Sequence, residues 1–174
     1  IYDALMFSKL NWNAVFEIFF NNDSGWYKVI ATNGYKHIPQ ADLQGWSHPE
    51  LHFAFFPLYP LSVGLIMKLT GLSFYISGFI FNVIILYFVV RYFYLFLIQM
   101  RVKEITAYRI VLLLLFFPFS LHFYFLYTES LFFTLMVACF FYISKRQWWQ
   151  FAVASSLLVL TRPNGIFMAL PMLL

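Results

Sequence analysis

The stretch Phe74–Gln99, FYISGFIFNVIILYFVVRYFYLFLIQ, decides the fold of this chain. It contains 26 residues, and Arg91 is its only charged side chain. A helix that crosses the hydrocarbon core of a bilayer needs about 20 consecutive, predominantly apolar residues. The stretch therefore predicts a transmembrane helix, and the lipid bilayer becomes the expected surroundings for the rest of the chain.

The composition of the whole chain agrees with a membrane protein. Of its 174 residues, 63% are hydrophobic and 10% are charged, whereas soluble globular domains average about 45–50% and about 25%. So few charged side chains would leave large apolar patches on the surface of a soluble particle. The composition therefore excludes a soluble enzyme, a disordered chain and a nucleic-acid-binding protein.

Further apolar segments predict an all-α, polytopic transmembrane fold. Pro118 predicts a break between the second and third long helices. Because the sequence starts at Ile1 and stops at Leu174 within an apolar run, residues 1–174 are interpreted as a single membrane domain from a longer protein. Besides the helix at 74–99, helices are expected at approximately 106–121, 124–144, 148–161 and 165–174 onward, with a shorter one at 61–69.

Residues 1–57 differ in character from the helical part at 58–174. They are rich in Asn, Gln, His and acidic side chains, and turn signals recur along them. Residues 11–20 place four apolar side chains on one face of a possible amphipathic helix. The segment is therefore predicted to be a non-cytoplasmic loop with short interfacial helices.

The distribution of basic residues predicts how the chain is oriented. Loops rich in Lys and Arg remain in the cytoplasm. The loops after the helices at 74–99 and 124–144 are therefore cytoplasmic, and 1–57 lies on the other side with the corners 118–129 and 161–165. The net charge of +4 follows this rule and requires no nucleic-acid partner. The basic residues of the two loops are Arg101, Lys103, Arg109, Lys145 and Arg146.

Three polar clusters, at 21–27, 127–130 and 161–165, are predicted to meet on the non-cytoplasmic face. Asp23 in the first cluster could act as a general base toward an attacking hydroxyl, or it could cap a turn or a helix. Glu129 starts a helix, where a carboxylate could complement the helix dipole or serve a functional role.

The third polar cluster contains Arg162 and Asn164. Arg162 could bind a phosphate through paired N–H donors. Alternatively, it could form a salt bridge or extend its charged end toward the membrane interface. The dipeptide Asn164-Gly165 favours a turn and a cap over a binding role.

The cysteine and histidine residues form no metal-binding pattern. Cys139 is the only cysteine and lies inside an apolar run, which predicts a core or lipid-facing residue. His37, His48 and His52 are not spaced as ligands on one helix, so surface or interfacial positions are favoured. The residue pattern by itself therefore requires no cofactor.

Four motifs, in this order along the chain, resemble those of the PIG-V-type mannosyltransferases, the GPI mannosyltransferase 2 family. Together they extend over residues 23–165. They are Asp23-Ser24-Gly25-Trp26-Tyr27 with Ile30-Ala31 and Gly34-Tyr35, then Phe53-Ala54-Phe55-Phe56-Pro57-Leu58-Tyr59-Pro60-Leu61, Tyr127-Thr128-Glu129-Ser130-Leu131-Phe132 and Arg162-Pro163-Asn164-Gly165.

The resemblance implies a GT-C glycosyltransferase, a polytopic helical membrane enzyme with its active site on the non-cytoplasmic face. Such enzymes take a sugar from a polyprenyl-phosphate donor, typically dolichyl-phosphate mannose in eukaryotes. This chain has Asn22 where eukaryotic members have Trp, so it is similar to the bacterial homologues. A bacterial cell membrane is then the expected location, and a glycan or glycolipid is the expected acceptor. A divalent metal could accompany the phosphate chemistry, although no ligand cluster demands one.

The resemblance also implies roles for the polar residues. Asp23 falls on the family's acidic residue in the first non-cytoplasmic loop and is expected to be the catalytic base. Arg162 and Lys28 would stabilise the phosphate charge, and Glu129 would orient the sugar or the loop that bears Asp23. Two further residues are expected to bind substrate: Tyr27 and Asn164.

Two other classes of protein compete with a glycosyltransferase. A transporter or lipid flippase would place polar side chains near the middle of its helices, and the main candidates are Asn82, Arg91 and His122. A non-catalytic scaffold subunit of a membrane assembly would tolerate the loss of Asp23. The polar residues gather instead on one predicted face, which favours a surface active site.

Overall fold

The computed structural model describes residues 23–36 and 49–172. Within these ranges the regular secondary structure is entirely helical, with six α-helices and three 3₁₀ helices, which confirms the predicted all-α class. The amphipathic helix predicted at 11–20, together with His37 and His48, lies outside these ranges. His52 lies within them and is buried, with 2% of its surface exposed, so the surface or interfacial position favoured for it was wrong. The α-helices are α1 (Ser24–Asn33), α2 (Leu58–Thr70), α3 (Phe74–Gln99), α4 (Glu104–Phe116), α5 (Glu129–Ser144) and α6 (Trp148–Val159), and the 3₁₀ helices are Pro49–Ala54, Pro118–Phe123 and Pro163–Met172.

Helix α3 is the one helix of the described residues that is long and apolar enough to cross a membrane. Its 26 residues give a length of about 39 Å, against about 30 Å for the hydrocarbon core of a bilayer. Three other apolar helices, α2, α5 and α6, contain 13, 16 and 12 residues. Each of these is shorter than the roughly 20 residues that a spanning helix needs.

Helix α4 ends earlier than the sequence predicts because of Pro118. The residue before a proline is disfavoured in helical conformation, and Phe117 has an extended backbone with φ −67° and ψ 138°. The helix expected at 106–121 therefore ends at Phe116, and the 3₁₀ helix Pro118–Phe123 follows it.

Two other segments differ from the predicted helices at their ends. The helix predicted at 124–144 begins at Glu129, since residues 124–128 form a turn and bends. The segment predicted to be a helix from 165 onward is the 3₁₀ helix Pro163–Met172. The range predicted at 61–69 corresponds to α2, and the range predicted at 148–161 corresponds to α6. Each differs from the observed helix by three residues or fewer at each end.

Helices α3 and α5 form the centre of the fold and run in the same direction. Near the start of α3, a Cβ placed on Gly78 would lie 3.0 Å from a methyl carbon of Leu126, just before α5. Farther along both helices, the hydroxyl groups of Tyr92 and Tyr142 lie 2.7 Å apart. Helix α4 carries the chain back between them, so the corner at 117–128 returns to the end of the molecule where α3 begins.

Helix α6 packs against α5 around a second apolar core. Buried Cys139 and Ala138 of α5 meet Phe151, Ala154 and Leu158 of α6 in this core. Burial in this core agrees with the sequence interpretation of the cysteine as a small apolar residue. Helix α6 runs back along α5, so the chain that follows it reaches the start of α5.

Helices α1 and α2 pack closely and hold the first and second motifs together. A Cβ on Gly64 would lie 2.7 Å from the carbonyl oxygen of Ala31, so only glycine permits this approach of the two backbones. At its start, α2 is tied to the chain after α6, because the amide of Leu58 donates to the carbonyl of Leu160 at 3.0 Å. The four motifs therefore meet in one region.

Candidate active site

The candidate site is built around the start of α1, where Asp23 occupies the N-cap position. The carbonyl oxygen of Asp23 accepts the amide hydrogens of Trp26 and Tyr27, at N···O distances of 3.1 and 3.3 Å. Its side chain makes no capping hydrogen bond, and its backbone is helical, with φ −64° and ψ −19°. Capping residues usually have extended dihedral angles instead. The exposed carboxylate of Asp23 is thus not used for capping.

Ser24 fixes the start of α1 against the corner between α4 and α5. Its side chain is fully buried, and its hydroxyl donates to the carbonyl oxygen of Leu126 at 3.1 Å. Leu126 directly precedes the second polar cluster, 127–130. Because Asp23 and Ser24 are neighbours in the chain, this bond brings Asp23 close to that cluster.

The ring of Tyr27 is held by two aromatic side chains of the second motif. Phe55 and Tyr59 both meet the ring edge-on, with ring centroids 5.3 and 5.2 Å away. Aromatic pairs in this arrangement contribute about 0.5–1.5 kcal/mol beyond simple burial. The buried ring of Tyr27 therefore has a defined position one helical turn from Asp23.

An ion pair between Arg162 and Glu129 joins the third polar cluster to the second. Nη2 of Arg162 lies 2.5 Å from Oε1 of Glu129, and the side chains are 38% and 27% exposed. Nε of Arg162 donates to the hydroxyl oxygen of Thr128 at 2.8 Å. The salt bridge considered for Arg162 is thus present. Because water partly screens the pair, its main consequence is to orient the guanidinium.

A tight turn after α6 presents Arg162 to Glu129. The carbonyl oxygen of Leu158 accepts the amide hydrogen of Thr161 at 3.0 Å and its hydroxyl hydrogen at 2.6 Å. A Cβ on Gly165 would lie 2.8 Å from the carbonyl carbon and oxygen of Leu158. Any larger residue at 165 would push the turn away from α6 and move Arg162.

Both carboxylates of the site raise the pKa of two nearby tyrosines. Burial raises the pKa of Tyr27 above its ordinary value of 10.0, the positive charge of Arg162 opposes this, and Glu129 and Asp23 raise the pKa further. The pKa of Tyr127 is raised as well, first by burial and then by Asp23 and Glu129. Both phenols therefore keep their protons near neutral pH, and both carboxylates act on the same region.

Thr128 acts on both Arg162 and Tyr27. Arginine can only donate, so the Thr128 oxygen accepts from Arg162. Thr128 also lowers the pKa of Tyr27, against the larger effect of burial. Oε2 of Glu129 is buried and has no hydrogen-bond partner among the described residues. The site thus presents N–H and O–H donors beside carboxylates.

Two other predicted substrate-binding residues have different surroundings. Nζ of Lys28 donates to the hydroxyl of Tyr75 at 3.2 Å and lies 4.9 Å from the centroid of that ring, at the start of α3. Asn164 is exposed, and its side chain makes no hydrogen bond to another residue in 23–36 or 49–172. The structure therefore brings together Asp23, Tyr27, Glu129 and Arg162. It joins Lys28 to Tyr75 and leaves the side chain of Asn164 exposed in the turn that carries Arg162.

Sequence reasoning does not single out two residues of the site, Ser24 and Thr128. Both stand next to predicted residues, Asp23 and Glu129, within the recognised motifs. Hydroxyl residues are common at the starts of helices, where they serve as caps. No local signal therefore distinguishes these two, whose partners lie 102 and 34 positions away in the chain.

The described part of the chain contains no group of three or more His, Cys, Asp or Glu side chains that could hold a metal ion. The carboxylates of this site belong to Asp23 and Glu129, and Glu129 is paired with Arg162. A divalent metal is thus an expectation drawn from the resemblance alone.

Comparison of the chain with protein-family models, with curated proteins and with solved structures gives no match. The interpretation of the site therefore depends on its residues, on its geometry and on the resemblance of the four motifs.

Proposed function

We propose that the chain is a membrane-embedded GT-C-type glycosyltransferase, similar to the PIG-V-type mannosyltransferases. It transfers a hexose, mannose in the first instance, from a polyprenyl-phosphate donor to the hydroxyl of a glycan or glycolipid acceptor. The reaction takes place on the non-cytoplasmic face of a polytopic protein in a bacterial cell membrane. One observation carries the proposal: Ser24 beside Asp23 bonds to the backbone of the corner before Glu129, 102 positions along the chain, and Arg162 pairs with Glu129 at that corner.

Three long-range contacts support this interpretation of the motifs. Ser24 binds the corner that carries the second cluster, Tyr27 packs against Phe55, and Arg162 pairs with Glu129. The ion pair and the bond from Ser24 bring charged and acceptor groups from three separate segments into one place. Side chains gathered in this way are a common property of active sites.

Asp23 is the proposed general base. Its exposed carboxylate takes the proton of the acceptor hydroxyl, and the acceptor oxygen attacks the anomeric carbon of the sugar. The new carbon–oxygen bond forms as the bond between that carbon and the phosphate oxygen breaks, with inversion at the anomeric carbon. The electron pair leaves with the polyprenyl phosphate, and the proton stays on Asp23. Loss of a general base costs about 10²–10⁴ in rate.

Arg162 is the proposed phosphate-binding residue, and Glu129 positions it. Nε and Nη2 of the guanidinium are held by Thr128 and Glu129, while Nη1 makes no hydrogen bond to another described residue. Nη1 is therefore available to an oxygen of the departing phosphate. The protonated phenol of Tyr27 provides a neutral donor in the same region.

The polar residues considered for a transporter are less suited to a transport path. The amide of Asn82 donates to the carbonyl of Phe125, and Arg91 lies 3.5 Å from the hydroxyl of Tyr87 one turn away. His122 is exposed in the 3₁₀ helix Pro118–Phe123. These side chains are spread over two elements instead of forming a cluster, so transport is the second candidate.

The proposal is tested with the full-length protein in native membranes supplied with radiolabelled polyprenyl-phosphate mannose. The wild type should transfer the label, and Asp23→Asn should transfer it about 10²–10⁴ times more slowly. Glu104→Gln is the matched control, since Glu104 is exposed at the start of α4, away from the site.

Two results would contradict the proposal. Movement of the labelled donor between leaflets without sugar transfer would indicate a flippase. A scaffold would be indicated by two findings together. The wild type would transfer no hexose from any donor in a panel of polyprenyl-phosphate hexoses, and Asp23→Asn would equal the wild type in expression and assembly.

A further inference from the structure

A groove between α1 and α2 lies apart from the candidate active site. It has a volume of about 540 Å³ and is lined by the last turn of α1, the residues after it and one face of α2. Its floor is the contact at Gly64, where a Cβ would lie 2.7 Å from the carbonyl oxygen of Ala31. Asn33 marks the end of α1, about 15 Å along the helix from Asp23.

Two lysines give this groove a positive charge. Lys36 and Lys68 both line it and are exposed, and neither forms an ion pair with a carboxylate in the described part of the chain. Among the described residues, the lining contains no acidic side chain. Two ammonium groups beside one groove repel each other unless an anion lies between them. The groove is therefore complementary to an anionic group.

The wall of the groove formed by α2 is apolar. Leu61 and Leu65 line the groove, and with Leu69 they form a row whose side chains are 51%, 57% and 77% exposed. A spacing of four residues puts them on one face of the helix. Such a row is unfavourable in water and favourable against hydrocarbon chains. A ligand that matches the groove therefore carries an apolar chain next to its negative charge.

We propose that this groove binds one anionic phospholipid of the surrounding bilayer. Its phosphate lies between Lys36 and Lys68, and one acyl chain lies along Leu61 and Leu65. The inference requires the membrane location that the proposed function includes, but it does not depend on glycosyltransferase activity. A lysine near an anionic lipid surface strengthens binding about fivefold, so the pair should strengthen it about 30-fold.

The test titrates the full-length protein, in an uncharged detergent, with phosphatidylglycerol and counts bound lipids by native mass spectrometry. The wild type should hold one phosphatidylglycerol and show no comparable binding of phosphatidylcholine. The double variant Lys36→Gln/Lys68→Gln should bind about 30-fold more weakly. Lys103→Gln/Lys145→Gln removes the same charge from exposed positions elsewhere and should bind as the wild type does.

A second variant tests the acyl chain separately from the charge. Leu65→Trp keeps both lysines and fills the apolar wall, so it should also lose the bound phospholipid. If Leu65→Trp binds normally and soluble glycerol 3-phosphate displaces the lipid, the groove holds a phosphate alone and the proposal is overturned. Equal weakening by the two double variants would overturn it as well, because it would show non-specific attraction.

Folding is checked in the same preparations. Lys68 lies in the last turn of α2, where it complements the helix dipole, so its loss could lower stability. Lys36→Gln alone leaves α2 intact and should weaken binding about fivefold. No sugar donor is present in this assay, so unchanged lipid binding in the variants counts against the groove and leaves the proposed transferase activity untouched.

Discussion

At the scale of single residues, Arg162 shows how an ion pair can orient a guanidinium group. Two of its three guanidinium nitrogens are held, Nε by Thr128 and Nη2 by Glu129. Since both partners are consecutive residues at the start of α5, the plane of the guanidinium is fixed relative to that helix. A fixed planar group loses little conformational freedom when it binds phosphate.

Arg162→Lys should weaken donor binding about tenfold or more. A lysine has no planar fork, so it cannot contact Thr128 and Glu129 and still offer a further N–H to the phosphate; a lost hydrogen bond to a charged group costs about 1.5–3 kcal/mol. Equilibrium binding of the polyprenyl-phosphate sugar measures this change. Arg109→Lys, an exposed arginine on α4, is the control. Unchanged donor affinity in Arg162→Lys would remove the phosphate role.

Tyr27→Phe should change the stability of the protein at high pH. Burial raises the pKa of Tyr27 above 10.0 in the folded state, whereas the unfolded phenol titrates at about 10. Between the unfolded and the folded pKa of Tyr27, the folded state binds more protons than the unfolded state. The protonated phenol therefore contributes its full stabilisation below pH ~10, and this stabilisation is lost as the pH rises further. Tyr27→Phe has no phenol to ionise, so its free energy of unfolding should decline less steeply above pH ~10 than that of the wild type.

The measurement compares denaturant unfolding of the wild type and Tyr27→Phe from about pH 8 to 11. Tyr87→Phe, on the exposed face of α3, controls for removal of a hydroxyl group. If the free energies of unfolding of the wild type and Tyr27→Phe fall equally with pH, the phenol of Tyr27 is not desolvated, in contradiction to the structure.

At the scale of the elements, close backbone approaches at two glycines set the geometry of the site. Gly64 permits α1 to lie against α2, and Gly165 permits the turn after α6 to lie against Leu158. Both contacts involve backbone atoms that cannot rotate away. The positions of Asp23 on α1 and Arg162 in the turn therefore depend on residues that take no part in chemistry.

Gly165→Ala should destabilise the protein by about 1–3 kcal/mol, since the new Cβ would lie 2.8 Å from the backbone of Leu158. It should also weaken donor binding, because the turn that carries Arg162 must move. Asn164→Ala is the matched control in the same turn, and its stability should stay within about 0.5 kcal/mol of the wild type. Unfolding measurements on both variants check this, and equal stabilities would argue against the tight turn.

At the scale of the whole molecule, long apolar segments were predictable and side-chain partners were not. Helix α3 has the predicted bounds because its 26 residues contain no proline and only one charge. Pro118 correctly marked a corner, although it ended α4 sooner than expected. The partners of Ser24 and Thr128 depend on how α1 and the turn after α6 are rotated against the corner. No local periodicity encodes such a rotation.

The orientation of α3 is the prediction that belongs to this scale. Basic residues follow its C-terminal end, so Met100 should lie on the cytoplasmic side and Ser73 on the opposite side. Ser73→Cys should react with a membrane-impermeant maleimide in intact cells, and Met100→Cys only after permeabilisation. Cys139 is buried, so it should give little background. The reverse labelling pattern would place the candidate site in the cytoplasm.

The most direct test of the central claim measures donor affinity and single-turnover transfer rate for Asp23→Asn in one preparation of the full-length protein. Asn keeps the size of the side chain and removes its basicity. A general base acts on the transfer step, so the rate should fall by about 10²–10⁴ while donor affinity stays within a factor of about two. A transfer rate equal to that of the wild type would contradict the assignment of Asp23 and, with it, the proposed active site.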